Sequence, residues 1–168
     1  MSFTEFEATI RSSALKQVAQ CWNEARGSRS MPGWKEMRPP RLGSRLSIVW
    51  SYTYDRSADT LTGRLAGDQI EAIFGKTFRG TPMAELYPPD QFREQFVRFK
   101  RVVSEGALYH LEGHVFKFVH RHGYGERIVM PLAEDGVLGD GVFGATAYDS
   151  VQALPAEELR DIEHWFSL

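Results

Sequence analysis

Between Leu61 and Phe92 the chain reads LTGRLAGDQIEAIFGKTFRGTPMAELYPPDQF. A strand-like opening stops at Gly67, and Gly75, Gly80, Pro82, Pro88 and Pro89 cut the remainder into short pieces. Helical fragments this short cannot offset the entropy of nucleation alone, so they must pack on something already ordered. The flanking sequence supplies it. Upstream, LSIVWSYTYD alternates, with Trp50, Tyr52 and Tyr54 on one side and Val49, Ser51 and Thr53 on the other. The turn DRSADT leads it into LTGRLAG as an antiparallel hairpin. Downstream, strands are expected over 107–119, 127–133 and 142–148, joined by the glycine-rich turns HRHGYG and EDGVLGDG. Two strands before the broken helices and three after predict an α+β domain, a single antiparallel sheet with helices gathered on one face.

The helices carry their own punctuation. Asp68 suits an N-cap and Pro82 a first helical turn, which predicts fragments over 68–74 and 82–87. PPDQFREQFVRFKRVVSEG is a firmer helix, with Phe92, Phe96, Phe99 and Val103 on one face and Gly106 as its stop. At the N-terminus Ser2 or Thr4 can cap a helix, each followed three residues on by Glu5 or Glu7. Phe6, Ile10, Ala14, Val18 and Trp22 then recur every fourth position, a narrow stripe that Leu15 and Ala25 widen. Such a stripe is covered either by the chain's own sheet or by the same helix of a second chain. The second option predicts a homodimer with those five residues as its interface. PAEELRDIEHWF is expected to form a closing amphipathic helix, with Leu159, Ile162 and Trp165 or Phe166 as its apolar side. The predicted organisation is a helix over 1–26 that dimerises or caps the sheet, an irregular basic connection over 27–46, the core over 47–149 and a C-terminal helix over 150–168.

Length and composition bound the function classes. A chain of 168 residues buries about 70% of its unfolded surface and needs no metal or disulfide to hold a core. Cys21 is the only cysteine, which excludes an intrachain disulfide, and beside Trp22 in a helix it is expected to be a buried, inert thiol. No run approaches the ~18 apolar residues of a membrane span and no signal-peptide core opens the chain, so a cytoplasmic protein is expected. A formal charge of −2 disfavours nucleic acid as a partner of the whole surface. The segment from Arg26 to Arg45 is locally basic, with Arg29, Lys35, Arg38 and Arg41 between them against Glu36 alone. It reads as a solvated loop surface or an anion-binding patch.

Three blocks carry a resemblance. WNEARGSRSMPGWKEMRPP holds Trp22, Arg26, Gly27, Arg29, Met31, Pro32 and Pro39 or Pro40; GRLAGDQIEAIFGKTFRGTPMAEL holds Arg64, Ala66, Gly67, Phe74, Gly75, Gly80 and Leu86; ERIVMPLAEDG holds Arg127, Pro131, Leu132, Asp135 and Gly136. In this combination the chain resembles the PAS domain, and more narrowly a bacterial PAS-like family of small proteins. It departs from that pattern at the first strand, IVWSYTY, and at Leu61 and Thr62 where many members place an aromatic. The resemblance implies a five-stranded antiparallel sheet with helices across one face, any ligand lying between them, and a role in sensing or protein–protein signalling. It implies no particular cofactor.

Short helices broken by Gly and Pro pack irregularly on a sheet, and the gap is filled by side chains or by a small organic ligand. Phe74, Phe78, Phe92 and Phe96 form the candidate wall, with Phe118, Met130 and Ala145 contributed by strands. The bland alternative is that all seven are core. Arg64 shares a strand face with Thr62 and Ala66; turned inward it clamps a carboxylate or phosphate, and otherwise it pairs with Glu71, Glu85 or a neighbouring strand. His110, Glu112 and His114 alternate onto one strand face at a spacing that could hold zinc or iron, with His120 and His122 in the same parity. A solvated polar face is the commoner meaning of such a pattern, and haem, flavin and metal are each disfavoured. No nucleophile–base pair assembles, and GDGVFG is a hairpin tip rather than a dinucleotide loop. The expectation is a non-enzymatic sensory or regulatory module that acts through a separate signalling partner or through self-association, with a ligand-free interaction domain as the alternative.

Overall fold

The computed structural model describes residues 2–37, 42–118, 121–152 and 160–168, with side chains over 3–37, 42–117, 123–148 and 160–168. Helices α1 (Ser2–Thr9) and α2 (Ser13–Arg26) precede strands β1 (Val49–Asp55) and β2 (Thr60–Ala66). Short helices α3 (Asp68–Phe74) and α4 (Met83–Leu86) and the longer α5 (Pro89–Glu105) come next. Strands β3 (Ala107–Phe118), β4 (Arg121–Leu132), β5 (Gly141–Gln152) and β6 (Ile162–Ser167) complete the order. All strands join one sheet in the order β2-β1-β5-β4-β3-β6, and every pairing is antiparallel. The α+β class and the split around the broken helices are as the sequence predicts.

The sheet is buried on both faces. Trp50, Tyr52, Tyr54, Tyr109, Val129 and Val142 face the cluster that holds α3, α4 and α5. Val49, Leu108, Ile128, Met130, Leu132, Phe143 and Ala145 face a second cluster built on α1 and α2. Phe6, Ile10, Val18 and Trp22 are fully buried there and Ala14 is half-buried. The Trp22 indole N–H donates to the Pro131 carbonyl at 2.9 Å, and Phe6 meets Phe166 edge-on at 5.9 Å. The stripe expected at a homodimer interface is therefore covered by the chain's own sheet, and helices occupy both faces rather than one. Nor is it one helix. The backbone N–H groups of Arg11 and Ser12 donate to the Glu126 carboxylate at 2.9 and 2.8 Å, which breaks the helix there and leaves Ser12 as the N-cap of α2.

Two further expectations are corrected. The turn placed at HRHGYG lies largely inside β4, which starts at Arg121. Gly125 serves close approach, not a turn: a Cβ there would sit 2.0 Å from the Ala147 carbonyl oxygen. The C-terminal helix is replaced over Ile162–Ser167 by a sixth strand, while Leu159 lies outside the described residues. The reason is two-sided burial. His164 stacks on His110 at 5.6 Å and Phe166 meets Phe6 of α1 edge-on, whereas Trp165 packs 4.4 Å from Tyr109 on the opposite face, a division only an extended chain provides. Asp161 anchors the entry to this strand by accepting from the His114 backbone N–H at 2.9 Å.

Cations of the basic connection that lie among the described residues find partners within the chain. Arg29 meets Glu36 at 3.4 Å, Lys35 meets Glu134 at 3.0 Å, and Arg45 donates to Gln17 at 2.8 Å; Arg38 and Arg41 lie outside the described residues. Cys21 is half-buried beside a shallow groove that Arg45 and Leu42 also line, not sealed in a core.

Where β1 crosses β5, Trp50 lies opposite Gly144, and a Cβ at Gly144 would fall 2.2 Å from the indole. Gly144→Ala should therefore lower stability by about 1–3 kcal/mol through overpacking, read as a lower urea midpoint at unchanged m.

Candidate functional site: a buried arginine beneath the broken helices

The face of β4 that turns toward α3–α5 carries Val129 and, two residues earlier, Arg127, which is 1% exposed. Its Nε donates to the Thr146 hydroxyl at 3.3 Å, Nη1 to the Gln95 side-chain carbonyl at 3.1 Å, and Nη2 to the Val115 carbonyl. Those acceptors come from β5, α5 and β3, so one guanidinium ties three elements together. The Phe116 and Trp50 rings lie 5.1 and 6.0 Å from its central carbon. Every hydrogen-bond acceptor is neutral, and no carboxylate among the described residues pairs with it. A guanidinium stays charged at any physiological pH, and a buried charge costs several kcal/mol unless an opposite charge offsets it.

Phenols surround this cation. Tyr52, Tyr87 and Tyr109 are buried. Burial raises each phenol pKa, while the Arg127 charge acts on all three in the opposite direction. They therefore remain neutral hydroxyl donors at neutral pH. The Tyr52 hydroxyl lies in electrostatic reach of Tyr87, and that of Tyr109 in reach of Glu163, but neither forms a hydrogen bond of proper geometry. A fixed positive charge and unsatisfied hydroxyls inside an aromatic shell form an environment suited to an anionic group carried on an apolar body.

Of the sequence candidates, Phe74 and Phe78 belong to this shell; their rings lie 5.6 Å apart, and Phe78 packs 4.9 Å from Tyr52. Phe92 and Phe96 are half-buried on α5 at the margin of the same cluster. The Phe118 side chain lies outside the described residues. Met130 and Ala145 sit on the opposite face of the sheet, because strand alternation sends them away from Arg127 and Thr146. Arg64 is likewise turned away from the broken helices. Its Nε donates to Thr53 at 2.9 Å, its guanidinium lies 4.8 Å over the Trp34 ring, and Nη1 is buried with no hydrogen-bond partner among the described residues. It forms neither the inward clamp nor an ion pair with Glu71 or Glu85; burial lowers its pKa, opposed by Asp140 and Glu134. Sequence reasoning misses Arg127 as a site residue, although RIVMPL is apolar on both faces, the mark of a strand covered on both sides. In such a strand any charged residue points into a core.

The alternating histidines are separately engaged. His110 Nε2 lies 3.0 Å from Glu126, Glu112 pairs with Arg11 at 2.9 Å, and His114 Nδ1 lies 2.8 Å from Asp161. No group that could hold a metal is found among the described residues; His120 lies outside them, as does the His122 side chain. Burial lowers the His110 pKa despite the Glu126 carboxylate. As pH falls below about 6.5 the unfolded chain takes up a proton that folded His110 resists, so stability declines by up to about 1.4 kcal/mol per pH unit. His110→Gln should flatten that acid limb, as measured by urea unfolding between pH 7 and pH 5.

A family model described as PAS domain matches residues 10–146, from the end of the first helix to the middle of β5. No curated protein and no solved structure matched the chain. The match covers most of the sequence and agrees with the antiparallel sheet and its broken helical cover, and so the chain belongs to the PAS domain family.

Proposed function

We propose that this PAS domain is a sensory module whose ligand is a small organic anion held against Arg127. The observation that carries this reading is a fully buried guanidinium whose acceptors among the described residues are all neutral, facing the Tyr52 and Tyr109 hydroxyls, neither of which makes a well-aligned hydrogen bond among those residues. A carboxylate entering from the side of the broken helices would satisfy both the charge and the hydroxyls. It would compete with Gln95 for the guanidinium, and so favour one placement of α5 over another. From α5 the shift has a physical route outward. Arg98 pairs with Glu163 on β6, and the Arg101 guanidinium lies 4.2 Å over the Trp165 ring. Output then passes to a separate signalling protein or through self-association.

The competing reading is a ligand-free interaction domain. It is favoured by the closeness of the aromatic packing, with Trp50 stacked on Phe99 at 4.9 Å. Native mass spectrometry of freshly purified protein and thermal unfolding with acetate, succinate and benzoate, against benzamide as the neutral control, separate the two. At a hundredfold excess over Kd, selective binding adds about 2.7 kcal/mol, or about 5–10 °C in Tm at this length. A carboxylate-selective rise of that size is expected, absent in Arg127→Met. A bare mass together with no rise for any of the acids would leave Arg127 as a structural tie and the interaction domain as the function.

Tyr52→Phe makes a sharper test, because it deletes a buried hydroxyl that makes no well-aligned hydrogen bond among the described residues. The ligand-free protein should be unchanged or up to about 1 kcal/mol more stable, while carboxylate affinity falls. Loss of stability without ligand would show that the hydroxyl already serves the fold.

A further inference from the structure

β6 is the terminal strand of the sheet, and among the described residues no strand pairs with its outer edge. Edge strands normally carry a Lys, a Pro or a bulge that discourages further pairing; IEHWFS has neither residue, and its pairing with β3 runs without a register shift. The register also fixes which backbone groups turn away from β3. The Leu168 N–H donates to the Gly106 carbonyl at 3.2 Å, one residue beyond the pairing of Ala107 with Ser167. Hydrogen-bonded positions alternate in an antiparallel ladder, so Phe166, His164 and Ile162 direct their N–H and C=O groups to β3. Glu163, Trp165 and Ser167 direct theirs outward.

We infer that this edge pairs with the same edge of a second copy, antiparallel about a two-fold axis at Trp165. That register brings all the outward-facing residues into hydrogen-bonded pairs: Trp165 with its own copy, and Glu163 with Ser167 in both directions. It also sets Ile162 opposite Leu168. These two are 46% and 39% exposed, among the few large apolar residues left open on the surface. Cross-strand neighbours of this kind contribute to sheet stability, and here symmetry counts the pair twice. Alternative registers are poorer. An axis at Glu163 sets Glu163 against its copy, an axis at His164 sets His164 against its copy, and an axis beyond Trp165 leaves Glu163 and Ile162 unpaired. Glu163 is held in its own chain by Arg98, so the preferred register brings no like charges together. The surface is distinct from the α1–α2 stripe, which is interior, and the inference does not depend on any ligand.

Sedimentation velocity of the full chain across a concentration series tests it. The unaltered protein is expected to dimerise. Ile162→Lys should weaken the dimer by about tenfold, since it sets an ammonium against Leu168 twice, and should leave the circular dichroism spectrum unchanged because the site is exposed. Ser167→Pro removes an outward N–H without touching the β3 ladder and should weaken it as well. Adding Leu168→Glu to Ile162→Lys creates an opposite-charge pair only in the register centred on Trp165, and should restore association. A monomeric unaltered protein, a dimer indifferent to both single substitutions, or a double variant no tighter than Ile162→Lys would each overturn the proposal.

Discussion

Everything in this structure depends on a central sheet that must be covered on both faces. β4 and β5 carry large apolar residues at successive positions, Ile128 and Met130 on one side and Val129 and Val142 on the other. A sheet so composed cannot leave a face in water, and one helical layer cannot serve two faces. The N-terminal stripe from Phe6 to Trp22 answers one face; the fragments from Asp68 to Glu105 answer the other. The two layers are also pinned differently. Glu126 reaches from β4 to the α1–α2 junction, and Lys100 on α5 reaches the Asp59 carboxylate of the β1–β2 turn at 2.8 Å.

The two layers enclose different polar groups. Beneath α1 and α2 the packing is mostly aliphatic and aromatic, with Trp22 donating its single N–H to Pro131. It also encloses His110 and, beside Trp34, the Arg64 guanidinium, each with one buried nitrogen that makes no hydrogen bond among the described residues. Beneath α3, α4 and α5 the same close packing encloses a guanidinium and several phenols, two of which make no well-aligned hydrogen bond among the described residues. Buried polar groups without partners are a net cost to the fold. Both layers carry such a cost; beneath the broken helices it falls where the covering elements are shortest, as at Met83–Leu86.

Mechanical continuity joins the two themes. α5 supplies Gln95 to the buried cation, and through Arg98 and Arg101 it grips Glu163 and Trp165 of the edge strand. The same helix thus touches the polar interior and the outer margin of the sheet, so a displacement at one end need not cross the domain to reach the other.

The sequence by itself determined the alternation in Val49–Asp55, the Gly and Pro breaks that make α3 and α4 short, the stop at Gly106 and the four-residue apolar period of α1 and α2. Each is a local pattern written in neighbouring residues. It did not determine what the N-terminal stripe packs against, since a stripe at helical spacing fits a sheet and a second helix equally well. Nor could it choose strand over helix for Ile162–Ser167, where apolar residues three and four apart mimic a helix and only the exposed edge of β3 selects the extended form. Tertiary structure alone decided the site. Arg64 and Arg127 each stand in a strand, and which of them points beneath the broken helices depends on the face that strand presents after the sheet has closed. Parity is local, but inward and outward acquire meaning only from the layers that pack on either side.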